Sequence, residues 1–205
     1  MITRFLLISH GQTEWNRVER FRGHADIPLN ETGLAQAQKI AARLADESIA
    51  AIYSSPLQRA LQTAQPLADA QHLQVQKCDA LIDMHVGALE GLTLAEARQA
   101  FPEVMDKWLN APGHVKFPKG ESMKAVRTRL EKLLGELSAQ HAGQTIALVT
   151  HRLVCHVTLL LALGLNLDSL WRIRQDNACV NVFEKREDRF VVTLMNDTRH
   201  LQENK

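Results

Sequence analysis

The sequence has almost no net charge, few cysteines and no long hydrophobic run. Its 24 basic and 23 acidic side chains are spread along 205 residues and leave a formal charge of +1. This balance predicts no broad surface for nucleic acid or anionic lipid, so any anion site must be a local cluster. The three cysteines (Cys78, Cys155 and Cys179) form no Cys-x-x-Cys pair, which argues against a disulfide framework or a structural zinc site and favours a reducing cytoplasm.

Membrane insertion and secretion are equally unsupported. The leucine-rich stretch 153–165 contains His156 and is shorter than the roughly 20 apolar residues of a membrane span. The apolar start, residues 1–8, is too short for a signal peptide. We therefore expect a cytoplasmic protein with no membrane partner. The chain length and the absence of repeats or linkers predict a single domain, residues 1–205.

Short apolar runs alternate with helical patterns along the chain. The runs predict strands at 5–8, 50–53, 73–77 and 144–149, with a hairpin at 180–184 and 190–195. The helical patterns lie at 31–44, 56–70, 94–109, 122–140 and 153–165. This alternation predicts an α/β three-layer sandwich, in which helices cover both faces of a mostly parallel central sheet. Residues 84–119 would form a helical lid or substrate-selecting insertion.

Asn30 and Ser122 are placed to cap two of these helices, and Ser54-Ser55-Pro56 is a typical start signal for the helix that runs to Ala70.

Chemically useful side chains follow three of the predicted strands. His10-Gly11 ends the first strand, Arg59 follows the second and His151 ends the fourth. Since parallel sheets place their sites at the carboxyl ends of strands, two imidazoles and a guanidinium are expected to converge there. Such a cluster suits a dianionic phosphate ester, and an imidazole can attack phosphorus to form a phosphohistidine. Proton transfer to the leaving group needs a carboxyl, for which the residues leave Asp83 and Glu90 as alternatives.

The order of these motifs resembles the histidine phosphatase superfamily, also called phosphoglycerate mutase-like. The resemblance covers nearly the whole chain, through the segments His10-Gly-Gln-Thr-Glu-Trp-Asn16, Tyr53-Ser-Ser-Pro-Leu-Gln-Arg-Ala60, Glu90-Gly91, Gly120-Glu-Ser122 and Val149-Thr-His151.

The resemblance implies a role for each matching residue. His10 would be the phosphorylated nucleophile, Arg59 and His151 would hold phosphate oxygens, and Asp83 would be the proton donor where relatives usually have glutamate. Asn16, Gly11 and Ser9 would border the phosphate. The resemblance implies no metal and no other cofactor.

The main departure from the family is Ser9, which replaces the arginine of the motif Arg-His-Gly. A hydrogen bond to a charged group is worth roughly 1.5 to 3 kcal/mol, so its loss would slow turnover by about one to two orders of magnitude. Arg22 and Arg152 are extra arginines near the motifs, and we hypothesise that one of them restores the charge. His200 lies in a tail similar to that of the family's small-molecule phosphatases, where it would touch the substrate.

Three functions are compatible with these residues. The favoured one is hydrolysis of a small phosphorylated metabolite such as phosphoserine, ribazole phosphate or a phosphorylated sugar acid. The second is phosphoryl transfer between hydroxyls, for which the chain seems to lack the insertion of the longer mutases. The third is a catalytically impaired member that binds a phosphorylated ligand. A homo-oligomer is compatible with all three.

Overall fold

A six-stranded sheet lies at the centre of the computed structural model, which describes residues 1–202. The strands are β1 (Thr3–Ser9), β2 (Ile49–Ser54), β3 (Val75–Lys77), β4 (Thr145–Thr150), β5 (Val180–Arg186) and β6 (Arg189–Asp197). Their order is β3-β2-β4-β1-β5-β6; β1 to β4 are parallel, and β5 and β6 add an antiparallel hairpin at one edge. The predicted strands are confirmed, with ends that differ by one or two residues.

The helices of the described chain are α1 (Glu14–Arg17), α2 (Glu31–Arg43), α3 (Gln58–Ala70), α4 (Leu94–Ala100), α5 (Pro102–Asn110), α6 (Met123–Gln140) and α7 (Arg152–Ala162). Both predicted caps are confirmed: Asn30 accepts a hydrogen bond from the Gly33 N–H at 2.9 Å, and Ser122 accepts one from the Ala125 N–H at 3.3 Å. The sequence prediction missed α1, whose signal is a capping box formed by Thr13.

The predicted start of α3 at Ser54-Ser55-Pro56 is wrong, because the helix begins at Gln58. The Ser55 hydroxyl does not cap the helix but contacts His151 Nε2 at 2.7 Å. Asp26, from another segment, accepts the Gln58 N–H at 2.7 Å instead. The local sequence predicts that this hydroxyl caps the helix, but it contacts a histidine at the carboxyl edge of the sheet instead.

Helices cover both faces of the sheet, as predicted. Along β1, Leu6 and Ile8 pack into one core with α2 and α3, whereas Phe5 and Leu7 pack into a second core with α6 and α7. This alternation follows from the two-residue period of a strand. Residues 84–119 carry α4 and α5 and contribute side chains to the second core. Among residues 1–202, no helix combines the length and apolar character needed to cross a membrane.

Candidate active site

His10 lies directly after β1 and is only 1% exposed. Its Nδ1 is 2.6 Å from the carbonyl oxygen of Gly11. Because a carbonyl can only accept, Nδ1 carries the proton and Nε2 keeps its lone pair. Burial, followed by the positive charges of Arg59 and Arg22, holds the pKa of His10 well below its usual value. At neutral pH the side chain is therefore an uncharged imidazole with an available Nε2.

His151 follows β4 and is fully buried, with its ring centroid 5.2 Å from that of His10. Arg59 Nε donates to His151 Nδ1 at 3.1 Å, so the proton of His151 lies on Nε2, which donates to the Ser55 hydroxyl. Burial, then the charge of Arg59, holds the pKa of His151 well below its usual value. The two imidazoles are thus neutral neighbours.

Arg59 is fully buried in the first turn of α3 and connects the other groups. Its Nη1 donates to the Ala25 carbonyl at 2.7 Å. Its Nη2 donates to the Gly23 carbonyl at 2.8 Å and to Asp83 Oδ2 at 3.2 Å. Together with the bond to His151, these contacts engage four of the five guanidinium N–H groups and leave one on Nη1. Burial lowers the pKa of Arg59, and the neighbouring Asp83 carboxylate opposes this shift.

Asp83 is largely buried and is held at both oxygens. Oδ1 accepts the Met84 N–H at 2.9 Å, while Oδ2 accepts Arg59 and lies 3.7 Å from His151 Nδ1. The carboxyl group also lines a cavity of about 350 Å³. It therefore links the buried histidines to the space that a ligand can enter.

The lining of the cavity contains two chemically different sets of side chains. The polar set, which we term the polar end because Arg22, Arg152 and Asn177 are close to His10, consists of Asn16, Arg22, Asp83, Arg152 and Asn177. Five apolar side chains of the lining form what we term the apolar wall: Phe21, Leu94, Trp108, Leu153 and Trp171. His10 lies behind the polar end, where its carbonyl oxygen accepts Asn177 Nδ2 at 3.3 Å.

Comparison with known proteins identifies this arrangement. The sequence profile of the histidine phosphatase superfamily (branch 1) matches residues 5–198. The chain belongs to the histidine phosphatase superfamily. As a histidine phosphatase, it shares the α/β fold and the order of motifs that the sequence predicted. Residues 1–202 contain no group of three or more His, Cys, Asp or Glu side chains arranged to hold a metal ion.

Its relatives include several phosphatases. Phosphoserine phosphatase 1 of Hydrogenobacter thermophilus is 35% identical over 98% of this chain and 96% of its own length. Among solved structures, Bacillus stearothermophilus YhfR matches with a TM-score of 0.93 and 30% identity over 98% of this chain and all of its own. A phosphoserine phosphatase variant of Entamoeba histolytica, solved with phosphoserine, matches with a TM-score of 0.89 and 29% identity over 98% of this chain and all of its own. This histidine phosphatase is therefore an enzyme with small-molecule phosphatase activity.

Ser9, the last residue of β1, and Gly11 flank His10 and, like His10, do not line the cavity. Ser9 is fully buried, and its hydroxyl has no hydrogen-bond partner among residues 1–202. Gly11 donates its N–H to Thr63 Oγ1 at 3.0 Å, so this donor is engaged within the protein. A Cβ at Gly11 would lie 2.6 Å from the Gly33 carbonyl oxygen, which explains the glycine by close packing. Asn16 does line the cavity, with its Oδ1 held by the Thr13 N–H at 3.0 Å.

Both extra arginines are at the cavity. Arg22 is half-buried, with Nη1 donating to the Arg20 carbonyl at 3.1 Å, while its buried Nε has no partner within residues 1–202. Burial lowers the pKa of Arg22 to about 10, so it remains charged at neutral pH. Arg152, the first residue of α7, is exposed at the mouth. The charges of both contribute to the lowered pKa of His10, which places them on its side of the cavity.

Glu90 and His200 are not brought to the cavity. Glu90 Oε1 accepts the backbone N–H of His24 at 2.8 Å and lies 3.5 Å from His85 Nε2. His200 Nε2 donates to the Ala178 carbonyl at 3.0 Å. Their predicted contact with substrate therefore has no support in the geometry.

Sequence reasoning missed other lining residues. Ser55 was interpreted as a helix cap, and His156 was interpreted as a surface or core histidine although it also lines the cavity. The apolar wall was missed because its residues come from distant segments. Its strongest signal is that Trp108 and Trp171 are two of only three tryptophans in the chain.

Proposed function

We propose that this enzyme hydrolyses a small phosphate monoester without a metal ion, through a phosphohistidine at His10. The observation that carries the proposal is a neutral, buried imidazole with an available Nε2 that is surrounded by arginine charges. We also propose that the chain forms one domain, in which residues 84–119 select the substrate; the apolar wall residues Leu94 and Trp108 belong to this segment.

In the first step, His10 Nε2 forms a bond to phosphorus as the bond between phosphorus and the ester oxygen breaks. Asp83 supplies a proton to the leaving alkoxide. Its place between the histidines and the cavity supports this role, and the negative charge of a bound phosphate favours the protonated form of a nearby carboxyl group. The N–H that remains on Arg59 Nη1 is a donor for the transferring phosphoryl oxygens, and His151 Nε2–H becomes a second donor when it exchanges the Ser55 hydroxyl for a phosphoryl oxygen.

In the second step, a water molecule attacks phosphorus and gives one proton to the Asp83 carboxylate. The bond between phosphorus and Nε2 breaks, which releases inorganic phosphate and returns His10 to its neutral form. The same carboxyl group thus acts first as acid and then as base. The bond from Nδ1–H to the Gly11 carbonyl keeps the imidazole in one orientation through both steps.

Arg22 supplies the charge that Ser9 cannot. It is half-buried, lines the polar end of the cavity and has a free Nε, whereas most donors of Arg59 are already engaged. A half-buried guanidinium is screened less by solvent than an exposed one, so we assign the compensating role to Arg22 before Arg152.

Replacing this charge tests the assignment. We expect Arg22→Gln to lower kcat/KM for an alkyl phosphate by about 10- to 100-fold, the equivalent of one charged hydrogen bond. Arg17→Gln removes an exposed arginine that pairs with Glu14 and is the matched control, with unchanged kinetics expected. If steady-state rates of Arg22→Gln equal those of the wild type, the charge is not compensated by this residue.

The proposed reaction is tested by measuring phosphate release in the absence of divalent ions, with O-phosphoserine and simple alkyl phosphates as substrates. Phosphoserine is included because relatives carry that activity in their names. The proposal predicts turnover by the wild type and its loss in His10→Ala. Transfer to a phosphoglycerate without release would indicate a mutase, and binding without turnover would indicate a phospholigand-binding protein; either result would overturn the proposal.

A further inference from the structure

The apolar wall is held in place by contacts among its own aromatic rings and the second core. The centroid of Trp108 is 4.9 Å from that of Trp171 and 5.4 Å from that of Phe117 in the core. Trp171 Nε1 also donates to the Trp108 carbonyl at 2.9 Å. This hydrogen bond connects α5 to the 3₁₀ helix Leu167–Arg172, so the wall exists before a ligand binds.

The wall leaves apolar surface exposed at the cavity. Trp171 is 44% exposed and the neighbouring Leu109 is 38% exposed, and both line the same space. Covering such surface with an apolar group is favourable in proportion to the area removed from water. A concave site lined mainly by apolar and aromatic side chains, with a small number of polar groups that fix the orientation, is typical of a ligand that is largely apolar.

The charges near the wall do not complement an amino acid. Arg20 Nη1 donates to the Gly91 carbonyl at 2.5 Å and lies 3.4 Å from a Glu96 oxygen, so its charge is already matched. Arg22 and Arg152 belong to the polar end, where the phosphoryl group binds in the proposed mechanism. Glu19 is exposed at the rim. The wall itself therefore offers no cation to the carboxylate of phosphoserine, which would have to turn to Arg152 at the exposed mouth, where solvent screens the charge.

We infer that the alcohol half of the substrate is apolar and flat, as in an alkyl phosphate that carries an aromatic ring, and that phosphoserine is a poorer substrate. This inference rests on the proposed hydrolysis at His10. It departs from the phosphoserine phosphatase activity for which relatives are named, and it rests on the apolar side chains that line the cavity of this chain.

The test compares kcat/KM for ethyl phosphate, 2-phenylethyl phosphate and O-phosphoserine. All three release a primary alcohol, so the chemistry at phosphorus is similar and binding of the alcohol half decides the ratios. We expect 2-phenylethyl phosphate to exceed both others by about tenfold or more, within the range that apolar pockets provide. Similar values for the three esters, or a preference for phosphoserine, would overturn the inference while leaving the hydrolase proposal intact. No release from any ester by folded protein would overturn the hydrolase proposal itself.

Variants test whether the wall causes the preference. Trp171→Ala should reduce the ratio of 2-phenylethyl to ethyl phosphate by at least about fivefold. Leu163→Ala removes an apolar side chain of similar exposure (41%) that does not line the cavity, and it should leave the ratio unchanged. Circular dichroism checks that both variants fold. An unchanged ratio in Trp171→Ala would overturn the assignment of the wall.

Discussion

Asp83 and Glu90 are nearby carboxyl groups whose surroundings separate their functions. Asp83 lines the cavity and contacts Arg59, whereas Glu90 is occupied by the backbone N–H of His24. Because Asp83 lines the cavity and Glu90 does not, we assign the proton transfer to Asp83. The proton donor of the proposed mechanism can therefore be tested with two isosteric amide substitutions.

We expect Asp83→Asn to lower kcat for an alkyl phosphate by about 10²- to 10⁴-fold, the usual contribution of general acid–base catalysis. The first step should be much less affected with 4-nitrophenyl phosphate, whose leaving group needs no proton, so a burst of nitrophenolate should remain. Steady-state and stopped-flow rates measure the two effects.

Glu90→Gln is the matched control, and its rates should stay within a few-fold of the wild type. A larger loss in Glu90→Gln than in Asp83→Asn would assign the proton donor to Glu90 and contradict this part of the mechanism.

At the residue scale, the sequence predicts the members of the site better than their contacts. The convergence of His10, Arg59 and His151 follows from their positions after parallel strands. The engagement of two Arg59 donors by carbonyl groups does not, because those carbonyls come from the loop around Gly23, whose path no local pattern specifies.

The amino end of α2 packs against the catalytic loop, by which we mean residues 10–12 directly after β1. A Cβ at Gly33, in the first turn of α2, would lie 2.0 Å from the Gln12 carbonyl oxygen. A Cβ at the adjoining Gly11 would lie 2.6 Å from the Gly33 carbonyl oxygen. The position of the loop that carries His10 thus depends on the absence of side chains at this contact.

We expect Gly33→Ala to destabilise the protein by about 1 to 3 kcal/mol and to reduce activity, because the backbone of the catalytic loop must move. Gly135→Ala is the matched control: a Cβ at this position in α6 meets nothing within 4 Å, so a gain of about 0.5 to 1 kcal/mol is expected. Urea unfolding and phosphate release measure both variants. Equal stability of the two variants would contradict the close packing.

At the element scale, strong local signals located the helices and strands, and tertiary contacts shifted their ends. Asn30 and Ser122 cap helices as expected, since each hydroxyl or amide has an unpaired N–H within reach. Ser55 does not, because its hydroxyl is used by His151 and Asp26 replaces it at the helix end. A cap that lies far away in sequence leaves no pattern to recognise.

Burial of neutral histidines connects the site to the stability of the whole molecule. Burial is the first cause of the lowered pKa of His10, His151, His156 and His200. Below the unfolded-state pKa of about 6.5, the unfolded chain binds protons that the folded protein does not. The stabilisation that these neutral histidines contribute is therefore fully present above about pH 6.5 and is lost as the pH falls below it.

We expect the free energy of unfolding to decrease as the pH is lowered from 7.5 to 5.5. Each pH unit below 6.5 should lower it by up to about 1.4 kcal/mol for every imidazole that stays neutral in the folded protein. Urea titrations across this range measure the effect, and His10→Gln should reduce the slope by about one proton. This window lies well above the titration of the buried Asp197, whose pKa is lowered to about 2. A stability that is constant from pH 7.5 to 5.5 would show that the histidines titrate alike in both states.

For the whole molecule, the alternation of strands and helices was sufficient to predict the three-layer fold, which the structure and the comparisons confirm. The sequence could not predict which apolar side chains line the cavity. Phe21, Trp108 and Trp171 come from separate segments, and the meeting of the two tryptophans depends on how α5 packs against the 3₁₀ helix Leu167–Arg172.

The most direct test of the account is to trap the phosphorylated enzyme. The wild type is mixed with excess alkyl phosphate, quenched in alkali within milliseconds, because phosphohistidine is labile to acid, and analysed by peptide mass spectrometry. We predict one phosphoryl group, on the ring of His10, and none in His10→Ala. Phosphorylation of another residue, or turnover without any phosphoenzyme at the earliest times, would contradict the central role of His10.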